Sequence, residues 1–257
     1  MSRTSSLHQI GDRLTLPVLL VAAWWLGGQV LPPYVLPGPL KVLEAATRLA
    51  ESGFLASDLS ATLLRVLIGF VLTLGIGVPL GMLLAIGGRL GALLDPILPL
   101  MTSVSSAIWV IFAVIWFGLG NIATIFVVLM TTLPLVVTGV RDGMRGINHD
   151  LVQMAESLSF RGPAIWIKVY LPSLLPSLFA GGRLAFGFGW RVSLVAETLG
   201  ASSGVGYRMR QASDLIQTDQ VFAWALTVMA LMLSIESFLL RPAERWLFRW
   251  RKPVGNQ

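Results

Sequence analysis

The chain has 257 residues, 55% of them hydrophobic and only 12% charged, with a mean hydropathy of +0.76. An average soluble domain carries about twice that share of charge, so a soluble core is excluded, and the absence of cysteine excludes disulfides and thiolate chemistry. The net charge of +6 comes from Lys and Arg scattered between apolar runs, the pattern of a membrane protein and not the basic stripe of a nucleic-acid binder.

A short polar head, residues 1–13, precedes a first apolar run over 14–31, long enough for about one crossing at ~1.5 Å per residue. Trp24, Trp25 and Gln29 stand where a signal peptide would carry a small-residue cleavage site, so the run reads as a span with an interfacial anchor. The proline-rich bend over 32–39 cannot be helical. Over 40–52 the apolar residues Leu40, Leu43, Ala46, Leu49 and Ala50 recur at helical spacing among Lys41, Glu44, Arg48 and Glu51, which predicts an amphipathic helix along the membrane face.

A second span covers 60–86, with Arg65 near its start and Gly75, Gly77 and Gly81 marking close helix approach. No Lys-Ser or Lys-Thr follows these glycines and no strand precedes them, so they are not a nucleotide loop. A basic turn at Arg89 leads to a third span over 93–117. An aromatic-edged turn, Trp116 to Asn121, leads to a fourth over 122–140.

The longest polar interval follows, residues 141–172. Asn148, His149 and Asp150 give a cap signal, and Leu151, Met154, Ala155 and Leu158 share one helical face. Arg161-Gly162-Pro163 breaks that helix and starts a second, which carries Trp166 and Tyr170 and closes at Leu171-Pro172. Two helices and a Gly-Pro break make a rigid knob. A fifth span over 171–199 is rich in glycine and polar groups, a polar loop covers 200–219, a sixth span covers 220–240, and a basic, Trp-anchored tail follows.

Six spans place both ends on one side. With the ends inside, twelve Lys and Arg are cytoplasmic and four (Lys41, Arg48, Arg208, Arg210) lie outside. The positive-inside rule therefore puts both termini and the 141–172 knob in the cytoplasm.

The knob resembles the cytoplasmic loop of ABC importer permeases, in which a Glu-Ala-Ala pattern is followed by a Gly and then by an apolar-Pro pair. Counted back from Leu171-Pro172, Gln153-Met154-Ala155 falls on the Glu-Ala-Ala, with Glu156 one place beyond, and Ser159 falls on the Gly. Four further motifs at matching spacing are similar to the nitrate, sulfonate and taurine branch of that family. They are the bend at Leu36 to Pro39, Ser60 to Phe70 with Arg65 and Gly69, Trp116-Phe117-Gly118-Leu119-Gly120, and Gly182 to Glu197 followed by Ser202-Ser203-Gly204-Val205-Gly206-Tyr207.

The resemblance implies an all-α integral membrane protein of type I importer permease fold, one transmembrane domain over the whole chain, in a bacterial-type inner membrane. It implies a second permease copy, two cytoplasmic ATPase subunits that consume ATP, and an extracytoplasmic solute-binding protein. The chain itself would bind no cofactor and catalyse nothing. The coupling residues expected from it are Gln153, Met154, Ala155, Glu156, Leu158, Ser159, Phe160, Gly162 and Pro172. The solute would be a small organic or inorganic anion such as a sulfonate, taurine, nitrate or bicarbonate, with a vitamin or nucleobase precursor as the alternative.

A charge in the middle of a span costs about 3 kcal/mol on insertion scales, so it should face a cavity or a partner. Arg183, Arg191 and Glu197 in the fifth span are thus candidates for the translocation path. Trp190 joins them, with Trp109 and Trp116 as further candidates for an aromatic solute. For Arg183 a structural ion pair is an equal reading, and Glu197 is expected near a hydrated outer end. A secondary transporter or channel would share the hydropathy but needs no two-helix knob and would carry internal repeats, which are not visible. His8 and His149 lie apart in polar segments, with no HExxH spacing to support metal chemistry.

Overall fold

In a computed structural model of the chain, the described residues are 4–87, 91, 93, 95–158, 160 and 162–247. Among them the only regular structure is helical. Two compact units divide them, one of residues 1–57 and 208–230, the other of 58–207 and 231–257.

The larger unit is built on three long helices, α3 (Phe54–Ile86), α6 (Asn121–Arg145) and α8 (Leu171–Gly200). Gly69, Thr73, Gly77 and Gly81 recur every four residues and so form one ridge of α3. That ridge lies against Val128, Thr132, Val136 and Val140 of α6 in matching order, with the hydroxyls of Thr73 and Thr132 2.8 Å apart. The approach is close enough that a Cβ at Gly81 would stand 2.7 Å from Val140 Cβ and 2.8 Å from the Val137 carbonyl oxygen. Gly75, off this ridge, faces open space. Small residues let two backbones meet where no hydrophobic drive separates helix from lipid.

Because both rows ascend together, α3 and α6 run parallel. The chain must therefore return between them, and α4 (Ile97–Ser103) with α5 (Ser106–Phe117) makes that passage. Leu98 and Met101 of α4 pack with Leu84 and Val137, while Val110 and Ala113 of α5 pack with Ala123 and Val127 at the other end of α6. The segment expected as one straight span is bent by 92° between these helices. Thr102 and Ser103 both turn their hydroxyls back to the Pro99 carbonyl, at 2.9 and 2.8 Å, and Val104 takes an extended conformation. Such back-bonding competes with the helical ladder.

The third long helix, α8, is antiparallel to α6: Gly189 meets Val128 and Thr132, Gly181 meets Gly139, and Ser177 meets Gly143. Among the described residues, three helical segments are by length and composition apolar enough to cross a membrane, Phe54–Ile86, Asn121–Arg145 and Thr218–Leu247, and a fourth if the bent pair is one span. Helix α8, with 30 residues and glycine, proline and charged residues along it, is outside that set.

Among the described residues two turns are π-helical, Trp166–Tyr170 and Glu236–Leu240. Each runs without a bend in conformation into an Xaa-Pro pair, Leu171-Pro172 and Arg241-Pro242. A proline inside a helix lacks an N–H and crowds the carbonyl four residues back, and a widened turn relieves that crowding. Leu171-Pro172, expected to close a separate loop helix, therefore sits inside one helical run from Pro163 to Gly200.

In the smaller unit α1 (Thr4–Val30) is followed by α2 (Pro39–Glu51). The buried face of α2 is Val42 and Ala45, packed with Ala223, Trp24 and Phe222, while Leu40 and Leu43 of the expected apolar face are exposed. Residues 205–214, expected as loop, form helix α9 (Val205–Asp214), which leads to α10 (Thr218–Ile235) and, past the second π turn, α11 (Arg241–Leu247).

Candidate functional site

The two ends of the larger unit carry different chemistry. At the N-terminal end of α6, Arg65 and Glu197 form a buried ion pair, Nη1 to Oε1 2.6 Å, with side chains 4% and 0% exposed. Every nitrogen of the guanidinium is used: Nε donates to Asn121 Oδ1 at 2.8 Å, Nη1 also to the Ser203 carbonyl at 2.7 Å, and Nη2 to Ser203 Oγ at 2.6 Å. Glu197 Oε2 accepts from Thr62 Oγ1 at 2.8 Å and from the Gly206 N–H at 3.0 Å. Thr62 Oγ1 in turn accepts the Val205 N–H, and Asp58 Oδ1 accepts the Gly204 N–H at 2.8 Å.

This network explains a run of small residues. Gly204 has φ +104, and a Cβ there would lie 2.5 Å from Arg65 Nη1 and 2.6 Å from Glu197 Oε1. A Cβ at Gly206 would lie 2.7 Å from Glu197 Cβ. Two of the separate motifs read in the sequence thus meet, with Asn121 just past another, in one joint that ties α3, α6 and α8 to the start of α9. Taking two charges out of water costs several kcal/mol each, and such a pair persists because every nitrogen of the guanidinium and both oxygens of the carboxylate are hydrogen-bonded. The expectation that Glu197 sits in a hydrated outer position is corrected: it is fully buried. The pairing was not visible in the sequence because the partners are 132 residues apart.

At the opposite end lies the knob. Helix α7 (His149–Ser157) is capped by Asn148, whose Oδ1 accepts the Asp150 N–H at 2.8 Å. Gly162 then breaks the chain with φ +54. Leu151, Met154 and Leu158 are 50%, 62% and 66% exposed, whereas Ala155 is buried and Phe160 is half-buried under Lys168, whose Nζ stands 4.3 Å from its ring centre. Gln153 and Gly162 are exposed and Pro172 is half-buried; Ser159 and the side chain of Glu156 lie outside the described residues. Between α7 and the helices α6 and α8 opens a cleft of about 1140 Å³, walled by Leu135, Gly139, Gly181 and Leu184 and rimmed by Leu151 and Met154. Beside it Asp95 accepts hydrogen bonds from Arg141 at 2.7 Å and Arg145 at 3.3 Å, and the Arg141 bond holds its carboxyl below the usual range.

The four path candidates part company. Arg183 pairs with Glu236, on the second π turn, and with Glu244 of α11 at 2.9 Å, so its ion-pair reading holds, with carboxylates as the partners. Trp190 is buried, and its Nε1 has no partner among the described residues. Glu197 is locked to Arg65. Arg191 alone is exposed. Of the other tryptophans, Trp109 packs edge-on against Phe112 and Phe126, and Trp116 stacks on Phe112.

A bundle of apolar helices with a two-helix knob at one end and a buried charge joint at the other is the architecture of a membrane transport component. The chain belongs to the family of binding-protein-dependent transport system inner membrane components, whose model matches residues 77–249. It is 32% identical over 240 residues to the Bacillus subtilis (strain 168) protein that carries the name aliphatic sulfonates transport permease protein SsuC, covering 93% of this chain and 87% of that one. It is 29% identical over 247 residues to the taurine transport system permease protein TauC of Escherichia coli (strain K12), covering 93% and 89%. In fold it matches a chain of the inward-facing MetNI methionine ABC transporter with a TM-score of 0.65 at 18% identity, covering 79% of this chain and 99% of that one. It is an ABC importer permease, a transport protein and not a catalyst.

Proposed function

We propose that this chain is the permease subunit of an ATP-driven importer of a small anion of the sulfonate class, working with a second permease copy, two ATPase subunits that consume the ATP, and a solute-binding protein. The knob end faces the cytoplasm, as do both termini, and the Arg65–Glu197 joint faces outward. The solute class comes from the relatives, which are named for aliphatic sulfonates and taurine.

The observation that carries the coupling role is the exposed apolar row of Leu151, Met154 and Leu158 on the first helix of the knob, with Trp166 and Ile167 exposed on the second. Apolar side chains held out at a membrane protein's aqueous end suit a partner's groove. Movement of that partner reaches the bundle through the helical run that starts at Pro163, and the cleft between α7 and α8 is the inner mouth of the path. Alternating access then follows from rocking this unit against its copy.

Co-purification from detergent-solubilised membranes tests the reading. Native chain should bring down an ATPase subunit, and Met154→Asp with Leu158→Asp should lose it; Ala155 is unsuited because it is buried. Solute uptake by the purified chain down an ion gradient, with no ATPase present, would overturn the proposal in favour of a secondary carrier.

A further inference from the structure

The exposed residues of the second half of α8 are Ala180, Leu184, Phe188, Arg191, Val195 and Leu199. Their spacings of three and four residues place them on one continuous stripe of the helix. Every other face of this helix is engaged: Ala185 and Val192 pack into the core clusters, Gly181 and Gly189 meet α6, and Glu197 is in the joint. Two of the three ionisable side chains of α8 are partnered. Arg191 has no hydrogen bond or ion pair among the described residues, although it lies six residues, about 9 Å of helix, inside Glu197.

Against lipid, such an arginine costs about 3 kcal/mol on insertion scales. The same stripe, however, begins at Ala180 and Leu184 in the wall of the 1140 Å³ cleft. The stripe thus leads out of an open cavity whose wall reaches Leu184, and a hydrated path continued along it to Arg191 would remove the cost.

We propose that Arg191 is an oxyanion-coordinating residue of the translocation path, binding the sulfonate or carboxylate group of the solute as it passes along this face of α8; the proposal rests on the permease reading above. The guanidinium offers five donors and no acceptor in a planar fork that matches two oxygens of one acid group, so its ligand is an anion. Phe188 and Val195 flank it on the stripe, so Arg191 is the one charge there. One charge without further donors binds weakly enough for release, as conduction through a path requires.

The absence of cysteine makes the test direct. Phe188→Cys and Val195→Cys are introduced singly, with and without Arg191→Gln, and the complete transporter is treated with anionic and cationic water-soluble methanethiosulfonates. With Arg191 present the anionic reagent should react faster by about tenfold, the order by which a one-sign cleft concentrates counter-ions. With Arg191→Gln that preference should vanish. Uptake of ethanesulfonate should fall about tenfold in Arg191→Gln and recover partly in Arg191→Lys, which keeps charge but not the fork. No labelling by either reagent, labelling without charge preference, or native uptake in Arg191→Gln each overturns the proposal. Failure of the permease reading shows separately, as ATPase capture unaffected by the knob variant, and the labelling preference decides Arg191 even if ethanesulfonate is not a solute.

Discussion

Arg65 of α3 and Glu197 of α8 are 132 residues apart in the chain and 2.6 Å apart in space, sealed from solvent on both sides. The pair does not sit alone, since its remaining hydrogen bonds reach Asn121 on α6 and the Ser203 to Gly206 turn that opens α9. One joint therefore fixes three membrane helices and the segment after them as a single body. At its other end the same helix α8 continues back through a π turn to the knob, so a continuous helical run joins the two functional ends.

Removing one charge leaves the other buried and unmatched, at a cost of about 3–5 kcal/mol. Glu197→Leu should lower the thermal unfolding midpoint in detergent by roughly 6–20 °C, taking about 2–4 °C per kcal/mol for a chain of this size. Arg65→Met with Glu197→Leu together should lie nearer to native than the single change. A single variant that melts with the native protein would show that the joint contributes nothing to stability.

The α3 ridge predicts opposite effects for two glycines in one helix. Gly75→Ala meets nothing within 4 Å and should be neutral or stabilising by up to about 1 kcal/mol, because alanine restricts the unfolded chain. Gly81→Ala would press on a backbone carbonyl of α6 and should cost about 1–3 kcal/mol as the two helices separate. Unfolding midpoints of the two variants decide it, and equal midpoints would refute the close contact.

Asp95 gives a pH dependence with a definite sign. Its carboxyl is held below its ordinary value of 3.8, chiefly by the hydrogen bond from Arg141. A depressed folded-state value contributes stability that is present above the unfolded value and is lost as pH falls through the folded one. Native protein should thus lose stability below about pH 4, and Asp95→Asn should show a shallower loss over that window. Superimposable midpoint-against-pH curves for the two proteins would contradict the pairing.

Much of this protein is written locally. Apolar runs of span length, the Asn148 cap, the Gly162 break and the helical spacing of Leu151 to Leu158 all depend on neighbours within a few turns, so hydropathy, capping and periodicity expose them. The helix over 205–214 reads as loop in the sequence because it is short and polar, and the 92° bend near Val104 is marked only by the hydroxyl residues Thr102, Ser103, Ser105 and Ser106 in a long apolar run. The Arg65–Glu197 joint, the Arg183 pairs and the isolation of Arg191 lay beyond reach. The sequence alone determined that the chain is a set of helices for a membrane, with a rigid knob and three costly charges in its fifth apolar segment. Only the tertiary structure decided which charges are neutralised and which is left open, because an ion pair is formed by distance in space and residues 132 positions apart carry no mark of each other.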